Sequence, residues 1–148
     1  MNEDPIKTLS VGIVSSRFNN EIVEKISTAC ITKLHALGVN KKNIIHKTVP
    51  GALEIPITLQ KMNSELTVNV MIAIGLVIRG DTYHFEIVSN ESASGIMRVQ
   101  LDHSIPIINA VLTTNSVKEA LARVDIKGEE AAEGAIEMAL KNYGNTCD

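Results

Sequence analysis

The sequence predicts an α/β fold: a three-layer α/β/α sandwich built on a four-stranded parallel sheet. Two observations carry this reading. Short β-rich apolar runs alternate with longer helical patterns along the whole chain, with no Pro/Gly/Ser linker, repeat or low-complexity tract between them. The most apolar run, Val68 to Ile78, is almost unbroken in aliphatic residues, as a strand buried on both faces must be. Strand–helix–strand units of this kind close by right-handed crossovers, which makes the sheet parallel and covers both faces with helices.

Each element follows from its own residues. Leu9 to Ser15 reads as the first strand. After Arg17-Phe18-Asn19-Asn20, a helix places Ile22, Ile26, Ala29, Cys30 and Leu37 near one stripe, and Gly38 stops it. Ile44 to Val49 is a second strand, broken by Pro50-Gly51. Pro56 suits the first turn of a short helix reaching about Met62. Val68 to Ile78 is the central strand. Arg79-Gly80-Asp81-Thr82 then turns the chain into a helix from about His84 to His103, whose small residues between Ser89 and Gly95 permit close packing. Pro106 to Leu112 is the fourth strand, with proline first, where a missing N–H is tolerated. Ser116-Val117-Lys118-Glu119 is a capping-box pattern that opens another helix. A last helix runs from about Glu129 to Asn142 on a stripe of Ala132, Ala135, Ile136, Ala139 and Leu140, with Gly144 as its stop. Residues 1–8 read as a flexible arm on a single domain spanning 1–148, in a flavodoxin-like arrangement.

Composition excludes several functions. At 148 residues a single domain buries about 68–70% of its unfolded surface, enough for a core without staples. Net charge is −3 and no run is strongly basic, which argues against nucleic acid. Cys30 and Cys147 lie far apart with no Cys-x-x-Cys, a pattern of a reducing cytoplasm rather than of a zinc site. No apolar span is long enough for a membrane helix, and Glu3, Asp4 and Pro5 are foreign to a signal peptide. Neither a Gly-x-Gly-x-x-Gly after a strand nor a Walker-type Gly-Lys-Ser/Thr is present, so no dinucleotide or nucleoside triphosphate cofactor is expected. His84-Phe85-Glu86 is not metal-ligand spacing on a helix, where residues two apart face different sides.

In an open parallel sheet, ligands bind beyond the carboxyl ends of the strands. The informative loops are therefore 16–20, 50–54, 79–84 and 113–116. In the first, Phe18 can stack on a flat ring and Asn19 can read its polar edge, or they can cap the core and the helix start. In the second, Gly51 and Ala52 leave backbone groups accessible, and Glu54 either caps a helix or meets a ligand. In the third, Gly80 precedes a helix N-terminus whose free N–H groups suit an anion. Asp81 can help an anion only through its backbone, while Thr82 adds a hydroxyl. His84 follows at the cleft edge, where a helix N-terminus disfavours imidazolium and leaves the ring able to accept a proton. His103 suits the dipole of a helix C-terminus, His35 and His46 show no partner by spacing, and no nucleophile elbow is present. What remains is proton transfer beside a flat ring and a phosphate.

Arg17-Phe18-Asn19, the run from Val49 to Pro56 and the run from Gly75 to Phe85 resemble the three signature stretches of 6,7-dimethyl-8-ribityllumazine synthases. Ser89-Asn90-Glu91 and Val111 to Thr114 match further along, and the likeness is collinear from about Leu9 to Leu140. The resemblance implies the penultimate step of riboflavin synthesis. There, 5-amino-6-(D-ribitylamino)uracil condenses with 3,4-dihydroxy-2-butanone 4-phosphate and releases phosphate and water. It assigns Phe18, Asn19, Ala52, Leu53, Glu54, Leu76, Val77, Ile78 and Asn109 to the pyrimidine with its ribityl chain. Asp81, Thr82, Arg123 and Lys127 fall to the butanone phosphate, and His84 to proton transfer. It also implies a homo-oligomer with sites between subunits of a pentamer, and riboflavin synthase as a partner. Mean hydropathy of +0.12 agrees with an interface that hides apolar surface.

Three departures stand out. Leu76 replaces a small hydroxyl residue of many relatives, Asn109 replaces an aromatic, and the segment between Arg123 and Gly128 is shorter. The last favours a pentamer over a sixty-subunit shell. A non-catalytic carrier of flavin-like or lumazine-like rings is the alternative reading, for which Leu76 and Asn109 leave room. A phospho-accepting signalling module is disfavoured because the first strand ends in Ser15-Ser16 and not in paired carboxylates.

Overall fold

The structure is a computed structural model and describes residues 4–143. Strands β1 (Val11–Ser16), β2 (Ile44–Val49), β3 (Val70–Ile78) and β4 (Ile107–Thr114) form one parallel sheet in the order β2-β1-β3-β4. The long connections are α1 (Asn20–Ala36), α2 (Ile55–Glu65) and α3 (His84–His103), followed by α4 (Val117–Leu121) and α5 (Val124–Tyr143). The expected three-layer sandwich is what forms.

Alternation along β3 divides the interior into two cores. Val70, Ile72, Ile74 and Leu76 face Val23, Ile26, Cys30 and Leu34 of α1 and the alanine stripe of α5. Met71, Ala73 and Val77 face Ile55, Leu59 and Met62 of α2 and Val88, Ile96 and Val99 of α3. Burying each large aliphatic side chain contributes about 1.5–3 kcal/mol, so the sheet is held from both sides. Cys30 belongs to the first core, and burial pushes its thiol pKa up to about 12, which makes it inert.

Element ends differ from expectation for local reasons. β1 starts two residues late because Pro5–Thr8 form a 3-10 turn capped by Asp4, with Leu9 closing it. Ile6 of that turn packs against the core; of the arm expected over 1–8, residues 1–3 lie outside the described part. Ser10 and Asn69 then seal the sheet's entrance: Asn69 N donates to the Ser10 carbonyl, and Ser10 N donates to Asn69 Oδ1 at 2.8 Å. β4 runs on through Thr113 and Thr114, paired with Val77 and Ile78, because a polar side chain on an edge strand does not interrupt its ladder. Gly38, at φ +115°, stops α1 as expected.

The largest correction concerns the last helix. It begins at Val124, not near Glu129, and the connection to α4 shrinks to Ala122-Arg123. Gly128 hid this, since glycine reads as a break. It sits within α5 because a Cβ there would lie 2.7 Å from the Ile26 carbonyl and 2.9 Å from Cys30 N of α1. Gly144 lies outside the described residues.

Two expectations follow. Gly128→Ala pushes α5 off the α1 backbone, and overpacking of that kind costs about 1–3 kcal/mol, read as a lowered unfolding midpoint in urea. His46, given no partner by spacing, has one: its Nε2 lies 2.7 Å from Ser15 Oγ. Burial lowers the His46 pKa from its ordinary 6.5, so the unfolded chain takes up the proton first as pH falls. The stability concerned is fully present above about pH 6.5 and declines below it. Urea titrations between roughly pH 7 and 5 should show a decline that flattens in His46→Gln; an unchanged slope would place the proton elsewhere.

Candidate active site

The sheet brings three of the four informative loops to one place. A cleft of about 450 Å³ beyond the ends of β1 and β3 is lined by Phe18, Asn19, Gly51 to Glu54, Leu76 to Ile78, Gly80, Thr82, His84, Phe85 and Val88. Its volume is that of a small-molecule pocket. A larger open groove of about 940 Å³ runs along α1 and α5, lined mainly by charged and small polar side chains such as Glu21, Lys25, Thr28 and Asp125. No strand tip opens into that groove and none of the expected site residues lines it, so the smaller cleft is the candidate site.

The first loop is pinned by backbone bonds. Arg17 N donates to the Val49 carbonyl at 2.7 Å and Phe18 N to the Pro50 carbonyl at 3.0 Å, carrying the β1–β2 ladder past the strand ends. Phe18 is therefore held firmly yet is 71% exposed. That sets aside core capping and leaves the ring accessible. Asn19 takes the left-handed conformation, φ 62°, which asparagine tolerates. Its side chain makes no helix cap; Nδ2 donates instead to the Leu76 carbonyl at 3.2 Å, fastening the start of α1 to the end of β3.

In the second loop Glu54 Oε1 accepts from Gly51 N at 2.8 Å, so its carboxylate closes a one-turn helix over Ala52–Glu54. In this chain Glu54 both caps and lines the cleft. The start of α3 lines the same cleft; there His84 N donates to Thr82 Oγ1 at 3.3 Å and His84 is exposed.

Sequence reasoning missed a network behind this helix start. Arg79 donates through Nη1 to the Glu86 carboxylate and through Nε to Asn115 Oδ1 at 2.9 Å. Its guanidinium lies 4.3 Å from the centre of the Phe85 ring. The Glu86 carboxyl is held below its ordinary value first by its own backbone amide and then by Arg79. Phe85 itself lines the cleft, and the available signal was an aromatic in the first turn of a helix at a strand tip. The fourth loop thus serves the site indirectly, through Asn115.

Four expected residues stand apart from the cleft in a single chain. Asp81 is exposed and does not line it. Asn109 lies on the edge strand β4 opposite Ala73, three residues and about 10 Å below the level of Leu76. Its Oδ1 accepts from Val111 N. Arg123 sits at the α4–α5 junction, where Nη1 donates to the Glu119 carbonyl at 3.1 Å, and Lys127 follows one turn later on α5. No group of side chains suited to a metal ion occurs among the described residues.

Comparison with known proteins accords with this geometry. The sequence profile of 6,7-dimethyl-8-ribityllumazine synthase matches residues 8–142. A protein of that name from Methylibium petroleiphilum is 52% identical over 132 residues, covering 89% of this chain and 82% of its own. Another from Paraburkholderia phymatum is 53% identical, with 88% and 76% covered, and one from Paracidovorax citrulli 50% identical, with 90% and 86% covered. The match spans every loop that builds the cleft, and the chain belongs to the 6,7-dimethyl-8-ribityllumazine synthase family.

Proposed function

We propose that this chain condenses 5-amino-6-(D-ribitylamino)uracil with 3,4-dihydroxy-2-butanone 4-phosphate in the cleft at the strand tips, yielding 6,7-dimethyl-8-ribityllumazine. The observation that carries the reading is the pairing, across one cleft, of an exposed, backbone-pinned Phe18 with the start of α3 at Thr82 and His84. Phe18 stacks on the pyrimidine, and the 52–54 turn and the 76–78 backbone hold its edge and ribityl chain. Gly80, Asp81 and Thr82 offer amides and a hydroxyl to the phosphate.

Amine attack, imine formation with loss of water, phosphate departure and ring closure each move a proton or hold two groups together. The cleft holds one histidine and one carboxylate, and the carboxylate already accepts from Gly51. His84 is left to move protons, a role worth about 10²–10⁴-fold where a group is well placed. Holding two reactants together reaches effective molarities of about 10⁵–10⁸ M, so proximity dominates.

A homo-oligomer is part of the same proposal. The cleft contains no lysine or arginine of its own, although a phosphate ester must bind there. Arg123, Lys127 and Asn109 are outside it and are supplied by a neighbouring chain. Ile87, Met97 and Leu101 of α3 are exposed and fall within about 80° of one another around the helix, opposite its buried face. That stripe serves a pentamer, with riboflavin synthase as the partner that takes up the product. A cytoplasmic location fits Cys30 as a free, buried thiol, and no described helix is long and apolar enough to cross a membrane.

Mixing the protein with both substrates should produce lumazine absorbance and fluorescence; their absence with folded protein sinks the reading. His84→Ala is expected to lose about 10²-fold or less in kcat, while an unchanged kcat removes His84 from the mechanism. Sedimentation should find a particle of about 80 kDa, five copies of 16.0 kDa. A particle near a megadalton would mean that pentamers join into a shell.

A further inference from the structure

We infer that Arg79 is a positioning residue for this reaction: its side chain clamps both ends of the Gly80–Tyr83 loop and thereby fixes His84 and the amides that open α3. The inference rests on the proposed reading of the cleft.

The base of the clamp is the sheet. Arg79 N still pairs with the Thr114 carbonyl at 2.9 Å, one residue beyond the end of β3. From that fixed base, Nε reaches Asn115 after β4, Nη1 reaches Glu86 in the first turn of α3, and the planar group covers the Phe85 ring. One side chain thus joins a strand end, the following loop and the helix that carries His84.

The loop between has little else to hold it. Nothing lies within 4 Å of where a Cβ on Gly80 would be, and Asp81, Thr82 and Tyr83 are exposed. Within the loop the side-chain bond is the long one from His84 N to Thr82 Oγ1. Its shape is therefore set from its ends. A half-exposed ion pair alone would add little to stability, but three directional contacts from one planar group define an orientation. Lysine cannot replace it, since an ammonium lacks both the fixed fork and the stacking plane. A displacement of about 1 Å at a reacting centre can cost roughly 10²-fold in rate.

The test compares Arg79→Ala, Arg79→Lys and Glu86→Gln with the unaltered protein, in kinetics with both substrates and in hydrogen exchange of the amides of residues 80–86. Arg79→Ala should lose about 10–100-fold in kcat/KM, with KM for the butanone phosphate raised, kcat lowered, and particle size unchanged. Arg79→Lys should recover little of that loss, and Glu86→Gln should lie between. A merely structural role would lower the unfolding midpoint yet leave kcat and KM of the folded variants at their original values, which overturns the inference. Should Arg79→Ala fail to fold, original constants in both Arg79→Lys and Glu86→Gln overturn it equally. Faster exchange confined to residues 80–86 is expected in Arg79→Lys, and equal exchange sinks the clamp. If the unaltered protein makes no lumazine, the proposed function fails while the exchange comparison still decides the role of Arg79.

Discussion

The cleft depends on a ladder of backbone bonds that does not stop where the strands stop. Arg17 and Phe18 donate to Val49 and Pro50, and Arg79 donates to Thr114, so the pairing of neighbouring strands continues into the loops. Asn19 adds a cross-link from its side chain to the Leu76 carbonyl. The consequence is geometric. Loops that would otherwise move independently inherit the register of a sheet buried on both faces. Their tips therefore stand in fixed relation, with Phe18, the 52–54 turn and the start of α3 around one cleft.

Such rigidity suits a reaction in which two substrates must meet. Holding both reactants needs walls, and the cleft is mostly walls: aliphatic side chains from β3, an aromatic at the rim, and backbone groups where Gly51 and Gly80 keep side chains away. Acid–base chemistry is sparse by comparison. Glu54 is tied to Gly51, and the pair of buried Ser15 with exposed His46 lies in the β1–β2 ladder outside the cleft, where it serves the sheet and not the reaction.

How much of this the sequence reveals depends on whether the determinant is local. The strands are legible because an apolar run is a local fact, and Gly38 is legible because a positive φ after a helix asks for glycine. Phe18, Asn19, Gly51, Ala52, Glu54, Gly80, Thr82 and His84 are legible for the same reason, since turn residues at strand tips mark themselves, whereas Leu53, Leu76, Val77 and Ile78 follow only from the family resemblance. Gly128 misled because its cause is distant: the backbone of α1 leaves no room for a side chain, which no pattern within α5 records. The Arg79 network escaped for a like reason, joining residues of three elements, one of them thirty-six positions away. Phe18 and Asn19 each admit two readings in sequence; exposure removes core capping for Phe18, and a tertiary bond to the Leu76 carbonyl replaces the helix cap for Asn19.

Charge supplies the last step. A phosphate ester in this cleft would meet amides, the Thr82 hydroxyl and the Glu54 carboxylate, but no cation from the same chain. The adjacent arginines are committed, Arg17 to Thr48 and Arg79 to Glu86 and Asn115. Arg123, bonded through Nη1 to the Glu119 carbonyl, and Lys127 stand one helical turn apart, where like charges oppose each other by a few tenths of a kcal/mol until an anion lies between them. Their backbone is rigid, with Arg123 N bonded to the Ala120 carbonyl and Lys127 N to the Arg123 carbonyl, so the pair is presented without ordering a loop. Under the proposed reading, one chain offers these cations to the anion site of the next. The forces then separate cleanly. In that reading apolar burial along α3, which salt affects little, holds the chains together, while a screened, salt-sensitive attraction acts on the phosphate alone.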